Sequence, residues 1–238
     1  MHPLLFMIKN SMNHALKVIL DGIAEGDDIG GPTQIANLLA DSLYKQDKFD
    51  LNDIAAKYLN WWQNGAFDTG PTFGLVFSHV LKGMTQQEAV TEADKILSGQ
   101  TAGCNPAHRI APMAAFTFIK TTDLPAMVQT EARLTHHHPL AGKSAAVCAL
   151  LCRYMIEGNA WERSKELTAN IEPDGWRAVS NAALSKDGFA PDVMHTAIHF
   201  LDQADPVKMS KAYAGPNNYA PVIVGALSAV RNHFCPEG

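Results

Sequence analysis

The chain has 238 residues, 47% hydrophobic and 18% charged, with a formal net charge of -5. That length fits one domain with a full core, and so little charge places much of each amphipathic element inside it. There is no basic block and no basic patch interleaved with aromatics, so the usual electrostatic footprint of a nucleic-acid binder is excluded.

Residues 1–10, "MHPLLFMIKN", are apolar but lack a basic n-region and a long enough h-region, so neither a leader nor a membrane span is expected. The first helix is predicted over 12–26, with Ala15, Leu16, Ile19, Ile23 and Ala24 on one face. Glycines 26, 30 and 31 break it, and Pro32 suits the first turn of the next helix. Helices follow over 52–65, with Ile54, Tyr58 and Trp61 stacked and Gly65 as the stop, and over 70–83, opened by Pro71. Over 85–99, Thr85 and Glu88 form a capping-box pattern.

Pro112 kinks or splits the segment 105–119. Two helices over 123–139 and 140–158 meet at Pro139, and others are predicted over 159–171, 192–203, 206–215 and 221–234. The loosest stretch is 172–191. No run alternates with period two between hairpin turns, and no repeat stands out. The expectation is an all-α, compact, single-domain multi-helix bundle over 1–238.

The four cysteines, Cys104, Cys148, Cys152 and Cys235, form no CxxC pair. Cys148 and Cys152, four apart in an apolar run, are expected to be reduced core residues rather than zinc ligands. Unpaired cysteines and the absence of a leader pattern point to the cytoplasm.

Three polar, helix-breaking knots stand ahead of apolar helices: "AEGDDIGGPT" (24–33), "NGAFDTGPT" (64–72) and "AYAGPNNYAP" (212–221). In the first, Glu25, Asp27 and Asp28 follow a helix whose dipole disfavours them, so they form either a site or an exposed turn. In the second, Asp68 or Thr69 either caps the next helix or leaves its free amides for a ligand. In the third, Asn217 and Asn218 either make a turn or bind sugar hydroxyls. His136, His137 and His138 diverge too far to grip one metal, so at most one or two of them face a pocket. His108 and Arg109 follow a break at "AGCNP"; Arg109 serves either an anion or a structural ion pair. No GxGxxG, Walker A, HExxH, GxSxG or EF-hand pattern occurs.

The order and spacing of these motifs resemble the ADP-ribosylglycohydrolase family, relatives of dinitrogenase reductase-activating glycohydrolase. The family's opening "G…GDALG.P.E" is similar to 21–34 here, through Gly22, Gly26, Asp27, Gly30 and Pro32, with Gln34 in place of an acid. Its central pattern is similar to 103–112 and 134–141, through Cys104, Arg109, Pro112, Thr135, His136, His138 and Pro139. Its last helix resembles 214–230. The resemblance implies an all-α domain around a cleft for ADP-ribose, usually with two magnesium ions, that cuts a glycosidic bond at ribose C1.

This chain departs from the family at the metal ligands. The family's "TDDT" is "DTGP" at 68–71, and its closing Asp-x-Asp-Thr is Pro216, Asn217, Asn218 and Tyr219. Hard dications prefer charged oxygen ligands. The expectation is a divergent, metal-independent member with no cofactor, magnesium being the alternative. Its partner is a small ribosyl substrate, with neither nucleic acid nor membrane. The function expected is hydrolysis of the N-glycosidic bond of a nucleoside or a damaged nucleoside. The alternatives are an ADP-ribosyl glycohydrolase and an inactive binding module. Asp27 or Asp28 is the expected base or ribose clamp, with Asp68 as partner and Glu25 beside them. Asn217 and Asn218 would hold the ribose hydroxyls. Thr69, Thr72, Cys104, His108, Arg109, His136 and Tyr219 complete the expected substrate-binding set.

Overall fold

In a computed structural model describing residues 3–235, with side chains from residue 11 onward, the chain is built from helices alone. The side chains behind the reading of residues 1–10 lie outside the described residues. Thirteen α-helices run in order among the described residues: α1 (Pro3–Gly26), α2 (Gly31–Gln46), α3 (Leu51–Gln63), α4 (Gly70–Leu81), α5 (Gln86–Ile96), α6 (Asn105–Arg109), α7 (Leu124–Ala132), α8 (Pro139–Ile156), α9 (Trp161–Ile171), α10 (Pro173–Ser180), α11 (Ala190–Leu201), α12 (Pro206–Tyr213) and α13 (Ala220–Phe234). A 3₁₀ turn, Ala111–Ala115, follows α6. Among the described residues the one extended pairing is a single bridge between Gly103 and Phe189.

The local signals act as their chemistry requires. Asp50 caps α3 by accepting from the amides of Asn52 and Asp53. Thr85 and Glu88 close a reciprocal capping box on α5. Pro112 splits its segment into α6 and the 3₁₀ turn rather than kinking one helix. The stretch 172–191 is more regular than expected. Glu172 accepts from the Gly175 amide and starts α10, a short helix that buries Val179 behind a Pro-Asp-Gly opening that resembles a turn.

Helix α8 is the centre. It is long and apolar enough to cross a membrane by length and composition, yet 78% of it is buried. Helices α6, α7, α9, α10, α11 and α13 pack around it. Its buried alanines, Cys148 and Cys152 let these neighbours approach closely, and both cysteines are free thiols. Buried Arg153 on α8 donates to the carbonyls of Ala114, Phe116 and Ile119, which holds the 3₁₀ turn against the core.

The tightest seam joins α1 to α13. A methyl group placed on Gly225 would lie 2.0 Å from the Gly22 carbonyl oxygen, and one on Gly26 would lie 2.1 Å from that of Pro221. Only glycine admits such backbone contact. This seam fixes where α13 begins, and with it Tyr219.

Candidate active site

The first two knots lie against each other. A methyl group on Gly31 would sit 2.7 Å from Cβ of Asp68 and 2.9 Å from the Phe67 carbonyl oxygen. Their Gly-Pro-Thr openings nonetheless differ. At α2 the Asp27 carboxylate accepts from the amides of Ile29 (3.1 Å), Gly30 (2.8 Å) and Thr33 (2.8 Å) and from the Thr33 hydroxyl (2.6 Å). Burial opposes the charge on Asp27, but the Thr33 hydroxyl and the three amides outweigh it and hold the carboxyl below its ordinary range. At α4 neither Asp68 nor Thr69 caps the helix. The free amides of its first turn remain open, and Asp68 is left for other contacts.

Asp68 sits at φ 55°, in the left-handed region. Its Oδ1 accepts from the hydroxyl of Tyr219, which the third knot supplies. Its Oδ2 is buried and has no hydrogen-bond partner. Burial, helped by the charge on Asp27 and opposed by the Tyr219 hydrogen bond, pushes the Asp68 carboxyl up. The Tyr219 ring packs on His108, with ring centroids 4.9 Å apart.

Tyr219 divides two hollows. The first, a cavity of about 270 Å³, is lined by Asp68, Thr69, Thr72, Cys104, His108, His136, Asn217 and Tyr219. Eight expected residues therefore meet in one place. Burial, then the charge on Arg109, lowers His108 to about 3, so its ring is neutral. Burial, then Arg109 and His108, also holds His136 well below the usual range. Burial raises the Cys104 thiol to about 11, so it stays protonated and is a poor nucleophile at neutral pH. Among the described residues no lysine or arginine lines the cavity. Asp68 is its one acidic side chain among the described residues.

Five expected residues lie elsewhere, and each has a physical reason. Asp27, the expected base, spends both carboxylate oxygens on the opening of α2 and lines a different hollow. Asp28 is exposed and pairs with Lys211 at 2.6 Å. It lines the second hollow, about 200 Å³, beyond Tyr219, together with Asp27 and Asn218. Glu25 is exposed beside a separate depression between α1 and α12. Asn218 is a staple rather than a sugar clamp: its amide donates to the carbonyls of Ser185 (2.7 Å) and Asp187 (3.1 Å), and its Oδ1 accepts from the Ala220 amide. Arg109 is fully buried and committed to Glu131 and Thr135, under the face of Tyr58, so no anion reaches it.

Of the three consecutive histidines, only His136 lines the cavity. His137 is exposed, and His138 caps α8 by accepting from the Leu140 amide. The sequence reading passed over Asn105, whose amide donates to the Thr69 carbonyl at 3.1 Å and ties α6 to the mouth of α4. Its position at the head of a helix, beside Cys104 and ahead of Pro106, was the available signal.

The residues present do not fit a pair of magnesium ions. Among the described residues no three His, Cys, Asp or Glu side chains cluster as metal ligands. One oxygen of Asp68 takes the Tyr219 hydroxyl, both oxygens of Asp27 are filled by N–H and O–H donors, and Asn218 faces away. Two dications need several free, charged oxygens.

The family described as ADP-ribosylglycohydrolase matches residues 11–233. The ADP-ribosyl-[dinitrogen reductase] glycohydrolase of Rhodospirillum rubrum is 24% identical over 185 residues, 74% of this chain; the match spans 58% of that protein's length. A solved structure described as an ADP-ribosylglycohydrolase-related protein complex superposes with a TM-score of 0.67 at 22% identity, covering 94% of this chain and 88% of that one, a likeness of fold. With a match running from α1 through α13, the chain belongs to the ADP-ribosylglycohydrolase family.

Proposed function

We propose that the cavity hydrolyses the N-glycosidic bond of a small, uncharged ribosyl compound without a metal ion. A nucleoside fits this reading, as does a damaged one such as a dihydropyrimidine or hydantoin riboside. The observation that carries it is Asp68, a carboxylate with one buried, unpartnered oxygen, lining a cavity with no cationic side chain among the described residues.

As the bond from C1 to the base nitrogen breaks, the base takes the bonding electrons and positive charge grows on the sugar. An adjacent carboxylate stabilises that charge. Water adds at C1 and gives its proton to Asp68, while the departing base takes a proton from solvent. The products are free ribose and free base. The open amides of α4 and the Thr72 hydroxyl suit sugar oxygens. The volume, just below the usual range of small-molecule sites, and the single acidic side chain disfavour a pyrophosphate.

The name of the Rhodospirillum rubrum relative favours a second reading, an ADP-ribosyl substrate. One experiment separates them. EDTA-treated protein is incubated with a panel of ribosides and ADP-ribosylated compounds, and free ribose and free ADP-ribose are measured. Release of ribose that survives chelation supports our reading. Release of ADP-ribose alone, or activity that chelation abolishes, overturns it.

A further inference from the structure

A short chain of hydrogen bonds leads from a buried ion pair to the wall of the cavity. Arg109 Nη2 donates to Thr135 Oγ1 at 3.0 Å, and Thr135 Oγ1 lies 2.8 Å from His136 Nδ1. The Arg109 guanidinium is paired with buried Glu131 and has only protons to give. Thr135 therefore accepts from Arg109 and has one proton of its own to place. Among the described residues its only other acceptor is the Ala132 carbonyl at 3.4 Å. That oxygen already accepts from the amides of Thr135 (3.1 Å) and His136 (2.9 Å), which fills its two lone pairs. The Thr135 proton goes to His136 Nδ1, so the proton of the neutral imidazole sits on Nε2.

Nε2 faces the cavity side. It is the atom nearest to a methyl group built on Gly103, at 3.2 Å, and Gly103 and His136 both line the cavity. Among the described residues no hydrogen bond uses Nε2, although His136 is only 3% exposed.

We propose that Arg109 and Thr135 are positioning residues that lock His136 as an Nε2–H donor aimed at an acceptor oxygen of the bound ligand. That the oxygen belongs to a riboside, as a hydroxyl or a base carbonyl, rests on the function proposed above; the tautomer does not. A donor fixed in advance discriminates against ligands lacking the matching acceptor, because its burial leaves it unpaired when they bind.

The test reads the ring nitrogens directly. Protein labelled with nitrogen-15 is studied by long-range proton–nitrogen correlation, with His136→Gln to assign the ring. The wild type is expected to show a protonated Nε2 and a bare Nδ1. Thr135→Val should shift part of the population to the Nδ1–H form, and Thr135→Ser should restore the wild-type pattern. A wild-type ring carrying its proton on Nδ1, or carrying two protons, overturns the proposal, as does an unchanged ring in Thr135→Val. Where a riboside is turned over, Thr135→Val should raise KM by about tenfold, the scale of one hydrogen bond, with kcat nearly constant. A loss confined to kcat also overturns the donor role. If no riboside reacts, the function falls, while the nitrogen spectrum still decides the tautomer.

Discussion

The Tyr219 hydroxyl donates to Oδ1 of Asp68 across 151 positions of sequence, and the Tyr219 ring rests on His108. One side chain thus orients the carboxylate, covers a neutral histidine and closes the cavity off from the hollow behind it.

Asp68→Asn should lower turnover of the best riboside by at least about 100-fold, because the amide neither takes the proton from water nor balances charge on the sugar. Asp28→Asn should leave turnover within about twofold, since surface pairs such as the one with Lys211 contribute little. Steady-state kinetics on both variants, with thermal melts to verify folding, checks the pair.

Tyr219→Phe removes the hydrogen bond that opposes the upward shift of Asp68. The carboxyl then titrates at higher pH. The acid limb of the kcat/KM profile should move toward neutrality, so the deficit relative to wild type grows as pH falls. Profiles of the two proteins measured side by side decide it; coincident acid limbs would exclude Asp68 as the titrating base.

Asp27 is expected to matter for stability rather than chemistry. Its carboxylate does for α2 what a capping residue does, so Asp27→Ala should cost about 1–2 kcal/mol at neutral pH. Its folded pKa lies below the ordinary value of about 3.9. The stabilisation is therefore present above that value and is lost as pH falls through the folded pKa. Urea titrations along a pH series should show the gap between wild type and variant closing only in strong acid.

Arg109→Ala should destabilise the fold by about 3–5 kcal/mol, because it leaves Glu131 in the core without its counter-ion and with only the Tyr58 hydroxyl as partner. Denaturant melts measure this directly. Selective loss of affinity for phosphorylated ligands, with stability unchanged, would instead restore the anion-binding role.

Helices were legible wherever apolar spacing and end signals agreed, as with Thr85 and Glu88 on α5 or Pro32 on α2. Helix α10 escaped because a Pro-Asp-Gly opening is shared by turns and first helical turns. Asp68, Thr72 and His136 could be chosen by residue type and motif, and they line the cavity. Asp28, Arg109 and Asn218 were equally attractive by type. What separates them is the partner each has found: Lys211 183 positions away, Glu131 on a neighbouring helix, and the carbonyls of a loop some thirty residues earlier. Composition and periodicity do not encode such partners.

The glycine seam between α1 and α13 also has a consequence for timing. Tyr219 reaches Asp68 only after α1 and α13, far apart in sequence, have docked through Gly22, Gly26 and Gly225. Contacts of such long range form slowly. A folding chain can therefore hold most of its helices and still lack the Tyr219–Asp68 contact, so the cavity wall is completed only with the closing step of folding.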